Sequence, residues 1–178
     1  MNFRENYLES ALFEFRRYKT LGDKTFVQLS DEEIHWKHND SDNSIALIAK
    51  HLVGNMLSRW TNFLTEDGEK SWRNRESEFE NPVIAKKEMI VYWEKGWQCL
   101  FDALNGIDES NFGNQIVIRS ERHTIPQAIN RQLAHYANHV GQIVFIGKMI
   151  QGQDWISPSI AKGNSQAFND MMFGSKTN

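Results

Sequence analysis

Residues 124–150, TIPQAINRQLAHYANHVGQIVFIGKMI, constrain this chain more than any other stretch. Ile129, Leu133, Tyr136, Val140 and Val144 recur at three- and four-residue intervals, the period of a helix that buries one face. Thr124-x-x-Gln127 has capping-box order, and Pro126 falls in the first turn, where its missing amide has no intrahelical partner. The second half, VGQIVFIGKMI, is apolar nearly all round, which predicts a central, buried helix. Ala134, Ala137 and Gly141 form a small-residue strip, suited to close approach by a neighbouring helix. His135 and His139 lie four residues apart, on one face and about 6 Å apart along the axis. Two imidazoles so placed can converge on a single ion. Arg131 and Gln142 share their stripe, roughly a third of a turn from the apolar centre.

Three more segments have helical period. Residues 3–29 repeat Phe3, Tyr7, Ala11, Phe15 and Tyr18, and Ser30-x-x-Glu33 then has capping-box order. Residues 44–64, capped by Asn43 or Ser44, carry the stripe Ile45, Ile48, Leu52, Met56 and Phe63, with His51 at its edge. Residues 82–105 start at Asn81-Pro82 and stop at Gly106, with Ile90, Trp93, Trp97, Leu100, Phe101 and Leu104 inward. Between the second and third segments, residues 65–81 are dense in charge and form a long crossover. Within 111–123, Gln115 to Arg119 suits a short extended segment. The tail, 152–178, is irregular; Trp155, Ile160 and Phe168 are its candidates for packing back, and its last five or so residues are expected to fray. The expectation is an all-α fold, a four-helix bundle in one domain over residues 1–178, with a long crossover between helices two and three.

A formal charge of −3 and the lack of a long basic block give no footprint for nucleic acid. No run of eighteen apolar residues exists and the N-terminus carries acids, so neither a membrane span nor a signal peptide is expected. The single cysteine, Cys99, cannot form an internal disulfide, which fits the cytoplasm; among buried positions of the third helix it reads as core packing. No P-loop, dinucleotide fingerprint or Ser-His-Asp order is present.

His51, His135 and His139 occupy the same border between apolar and polar faces on two helices expected to pack together. Three neutral imidazoles bind a divalent metal such as Zn, Ni or Fe and leave a position open for chemistry. The competing reading is a hydrogen-bonded core histidine and a surface pair. Asn55, one turn after His51, and Gln142, three residues after His139, can each orient an imidazole or serve as an ordinary helix position. Arg73 and Arg75 suit the carboxylates of an anionic cofactor. Glu76, Glu78 and Glu80 favour instead a solvated, internally neutralised loop. Arg131 is a further candidate for an anionic substrate. His35, His38 and His123 read as loop residues.

A single His in the second helix and His-x-x-x-His in the fourth resemble the DinB/YfiT superfamily of bacterial proteins. The likeness spans nearly the whole chain, and the crossover DGEKSWRNRESEFE and the tail SIAKGNSQAFN resemble an uncharacterised subgroup of it. The resemblance implies a bundle in up-down-down-up order, a homodimer, and a metal held at His51, His135 and His139. It also implies an enzyme acting on a small-molecule substrate, either a transferase using a low-molecular-weight thiol such as bacillithiol or mycothiol, or a hydrolase. A non-catalytic protein that binds a metal or ligand is the remaining reading.

Overall fold

The computed structural model describes residues 2–80 and 84–174. The chain is mostly helical, with one small sheet: α1 (Phe3–Phe26), α2 (Ile45–Trp60), α3 (Lys86–Asn105), β1 (Gln115–Ile118), β2 (Glu121–Thr124), α4 (Ile125–Gln151) and α5 (Ser165–Gly174). Packing is densest between α2 and α3 and between α1 and α4, with α4 also against α2. Phe15, Trp93, Trp97 and Tyr136 meet at the centre, all fully buried.

Local chemistry accounts for most of the helix ends. Asn2 and Glu5 form a capping box at α1, Ser44 caps α2 by accepting from the Leu47 amide at 3.3 Å, and Thr124 and Gln127 form the capping box of α4. Two helices stop earlier than their apolar pattern suggests. α1 ends at Phe26 because the Gln28 and Leu29 amides turn back to Thr25 and Phe26, and the Ser30–Glu33 box then opens a 3-10 turn. α2 ends at Trp60 because Asn62 takes a left-handed φ of 48° and its carbonyl collects the Thr65 and Glu66 amides. α3 begins at Lys86, after Ala85. The expected start at Asn81 and Pro82 lies outside the described residues, as do residues 175–178 of the expected frayed end.

Two expectations about α4 are corrected. The central helix is α2, buried around nearly its whole circumference, whereas α4 exposes Phe145 (64%) and Met149 (45%). α2 is flanked by α3 and α4 and covered by the crossover, while one face of α4 turns outward, with Gly141, Gln142 and Phe145 exposed along it. The strip of Ala134, Ala137 and Gly141 faces that way too: a Cβ on Gly141 would meet nothing within 4 Å. Close approach happens elsewhere, at Gly96, where a Cβ would lie 3.2 Å from the Val53 backbone, and at Gly147 beside Trp155.

The extended segment at Gln115 is one half of an antiparallel hairpin, Gln115 opposite Thr124 and Ile118 opposite Glu121. Its two turn residues, Arg119 and Ser120, both have positive φ, the type I′ pattern that ordinarily selects Asn-Gly. Asp67 holds this turn from the crossover, accepting both amides at 2.8 Å. In the tail, Trp155 is half-buried and Gln28 bonds both the amide and the carbonyl of Ile156. Ile160 and Phe168 stay exposed; the irregular tail instead contains α5.

Candidate metal centre

α2 and α4 bring His51, His135 and His139 together. The ring centroids are 4.9 Å (His51–His139), 5.3 Å (His51–His135) and 4.6 Å (His135–His139) apart. One nitrogen from each lies within 4.8 Å of the others. His51 is buried at 4% exposure.

Two of the rings have a defined outer partner. His51 Nδ1 lies 2.8 Å from Glu78 Oε2. Glu78 also accepts from Arg73 Nε at 2.8 Å and Nη2 at 3.0 Å, a bidentate pair. Burial pushes the Glu78 carboxyl up, but the His51 and Arg73 hydrogen bonds outweigh it and hold the group below its ordinary value. The carboxylate is therefore an acceptor, so His51 donates from Nδ1, and Nε2 is the nitrogen turned toward the other two rings as a ligand atom. His139 Nδ1 donates to Gln142 Oε1 at 2.9 Å, which again frees Nε2. His135 Nε2 is buried with no hydrogen-bond partner. Burial, reinforced by the neighbouring His139 and His51, pushes His135 down to about 3, and burial also lowers His139.

These features fit a divalent ion. Two of the imidazoles are held neutral, the protonation state a ligand needs. A buried nitrogen without a partner costs about 1–3 kcal/mol, and an ion would supply that partner. The carboxylate behind His51 is the usual device for fixing a ligating imidazole. Phe79 stacks on His51 at 4.9 Å, and Lys50 ties the crossover to α2 through the Ser77 carbonyl.

A cavity of about 470 Å³ opens beside the three rings, lined also by Asn55, Arg59, Arg73, Arg75, Arg119, Arg131 and Gln132. Across Gln142 lies a second groove of about 420 Å³, with Trp36, Ile48, Phe145 and Met149 on its walls.

A model of the family described as "Protein of unknown function (DUF1572)" matches residues 2–164. The chain belongs to this family. The crystal structure of a conserved protein from Enterococcus faecalis is similar in fold: the TM-score is 0.62 at 14% identity, over 86% of this chain and 99% of that one. Among curated proteins no relative matches.

In this DUF1572 chain the sequence-predicted residues divide cleanly. His51, His135, His139 and Gln142 meet as expected. Asn55 lines the cavity but bonds to the Tyr136 hydroxyl at 3.1 Å, not to a histidine. Arg131 and Arg75 line the cavity and are exposed. Arg73 overturns the expectation of a solvated loop: its side chain is 2% exposed and braces Glu78. His35, His38 and His123 lie outside the cluster, and Cys99 lies half-buried beside Thr61, its thiol pushed up by burial. Sequence reasoning missed Glu78 in its role, and also Gln132, Arg59 and Arg119. Gln132 and Arg59 were detectable, Gln132 three residues before His135 and Arg59 one turn after Asn55 on α2; Glu78 and Arg119 lie in the crossover and at the hairpin turn and carry no periodic signal.

Proposed function

We propose that this chain is a DinB-type, metal-dependent enzyme, a thiol S-transferase in which a low-molecular-weight thiol such as bacillithiol attacks a small electrophile. The observation that carries this reading is the convergence of three imidazoles, one with a buried, unpartnered Nε2, on a cavity large enough for a small molecule. A divalent Zn, Ni or Fe ion at His51, His135 and His139 would supply the Lewis acidity that lowers the pKa of a thiol or a water. The chain's residues orient the ligands: Glu78, braced by Arg73, fixes His51, and Gln142 fixes His139. No Asp or Glu stands among the described residues lining the cavity. The apolar groove across Gln142 suits the body of an electrophile.

The likeness in histidine placement and crossover also supports the up-down-down-up bundle order, a homodimer and a cytoplasmic setting. Among the described residues, no helix is long and apolar enough to cross a membrane.

The test is elemental analysis of untagged protein beside His51→Ala and His139→Ala. About one ion per chain is expected in wild type and none in either variant; wild-type protein that cannot be loaded sinks the reading. A turnover screen with and without bacillithiol then separates transfer from hydrolysis.

A further inference from the structure

A directed hydrogen-bond chain ends at the cavity beside the histidines. Trp60 Nε1 donates to the Tyr136 hydroxyl at 3.1 Å, and that hydroxyl donates to Asn55 Oδ1 at 3.1 Å. All three side chains are buried, Tyr136 completely. Each link has one workable direction. An indole nitrogen only donates, so Trp60 takes a lone pair of the hydroxyl and the hydroxyl proton goes onward. Tyr136 is shielded from solvent, and the acceptor within reach of that proton is Asn55 Oδ1. Turning the Asn55 amide over would set two donors against one hydroxyl and strand its proton, which a protein interior rarely tolerates.

The amide is thus locked with Oδ1 on Tyr136, which leaves Nδ2 as the polar group that Asn55 offers to the cavity it lines. Among the described residues Nδ2 meets no acceptor. Asn55 follows His51 by one turn of α2, about 6 Å along the axis, and Tyr136 follows His135 directly in α4. The same two helices that bring the three imidazoles together therefore also fix a neutral donor beside them. A group that only donates selects an oxygen with a free lone pair. A carbonyl oxygen has two.

We propose that Asn55 Nδ2 is the hydrogen-bond donor for a carbonyl oxygen of the substrate, and that Tyr136 and Trp60 are the positioning residues that hold it in that orientation. The electrophile of the reaction proposed above is then a carbonyl compound, an identification that rests on that reading. A donor fixed in advance polarises a carbonyl without reorganising. The lock also explains why Asn55 bonds Tyr136 and no histidine.

The test loads the protein with Co(II) and follows its visible absorbance as a probe is added, with cobalt content checked after each titration. Acetohydroxamate offers a carbonyl oxygen; imidazole offers none. Wild type should bind both. Asn55→Leu keeps the size of the side chain and loses the donor; Asn55→Asp still accepts from Tyr136 but cannot donate. Each should lose about tenfold in acetohydroxamate affinity, and Asn55→Leu should bind imidazole as wild type does. Tyr136→Phe, which unlocks the amide, should show a smaller loss for acetohydroxamate and none for imidazole; it is the neutral contrast should Asn55→Leu not fold. No acetohydroxamate binding to cobalt-loaded wild type, a loss confined to Asn55→Asp, or an equal loss of both probes in the neutral variants would overturn the proposal. Failure of these contrasts in protein that holds cobalt removes the Asn55 donor and leaves the metal centre standing. Protein that takes up no metal sinks both, so metal content tells the two failures apart.

Discussion

Glu78 links the loop to the helix that carries His51. Its two oxygens serve one imidazole and one bidentate guanidinium, all nearly buried. Glu78→Gln leaves Arg73 charged and only half-paired and removes the acceptor that sets the His51 tautomer. We expect a 10–100-fold loss of metal affinity in chelator competition, and about 3–5 kcal/mol less stability in denaturant melts; unchanged affinity would show that His51 needs no such support. His135 gives a prediction in pH. Its folded pKa of about 3 lies below the ordinary 6.5, so between those values the unfolded chain binds more protons than the folded one. Stability of the metal-free protein is then fully present above 6.5, and is lost as pH falls toward 3. Urea midpoints at about pH 7 and about pH 4.5 should differ in that direction, and the gap should shrink in His135→Gln.

At the scale of elements, the site depends on how close the crossover comes to α2. Gly54 makes that approach possible: a Cβ there would stand 2.9 Å from the Glu78 carboxyl carbon. Gly54→Ala, although a better helix former by about 1 kcal/mol, should still destabilise by about 1–3 kcal/mol through overpacking and should weaken metal binding along with Glu78→Gln. A stabilised variant with intact affinity would mean that the crossover is free to move off. The hairpin follows the same logic. Arg119 and Ser120 hold left-handed backbone without glycine because Asp67, on the crossover, receives their amides. Nothing within QIVIRSERHT signals that turn, since its decisive partner lies 52 and 53 residues away.

For the whole molecule, the uncovered faces bear on assembly. Phe145 and Met149 on α4, and Phe168, Met171 and Phe173 on α5, are exposed, apolar surface that a lone chain in water gains by covering. Sedimentation velocity at micromolar concentration should return a dimer mass; a monomer mass would rule out the homodimer. The fold's helices were legible because each buries a stripe of period 3.6 and four of its caps use short side chains a few residues from their targets. The histidine triad was legible for the same reason: helical spacing sets which face a residue occupies.

Local period and local hydrogen bonding set the four long helices, three of their starts, and the stripes on which His51, His135, His139 and Gln142 stand. That α2 and not α4 is central, that Arg73 is buried on Glu78, and that Arg59, Arg75, Arg119, Arg131 and Gln132 share one cavity follow from packing over long range. Those outcomes depend on loops meeting helices across long sequence separations. Loop position is set by single contacts such as Glu78 to His51 and Asp67 to the hairpin turn, and a single long-range contact leaves no repeating mark in a sequence.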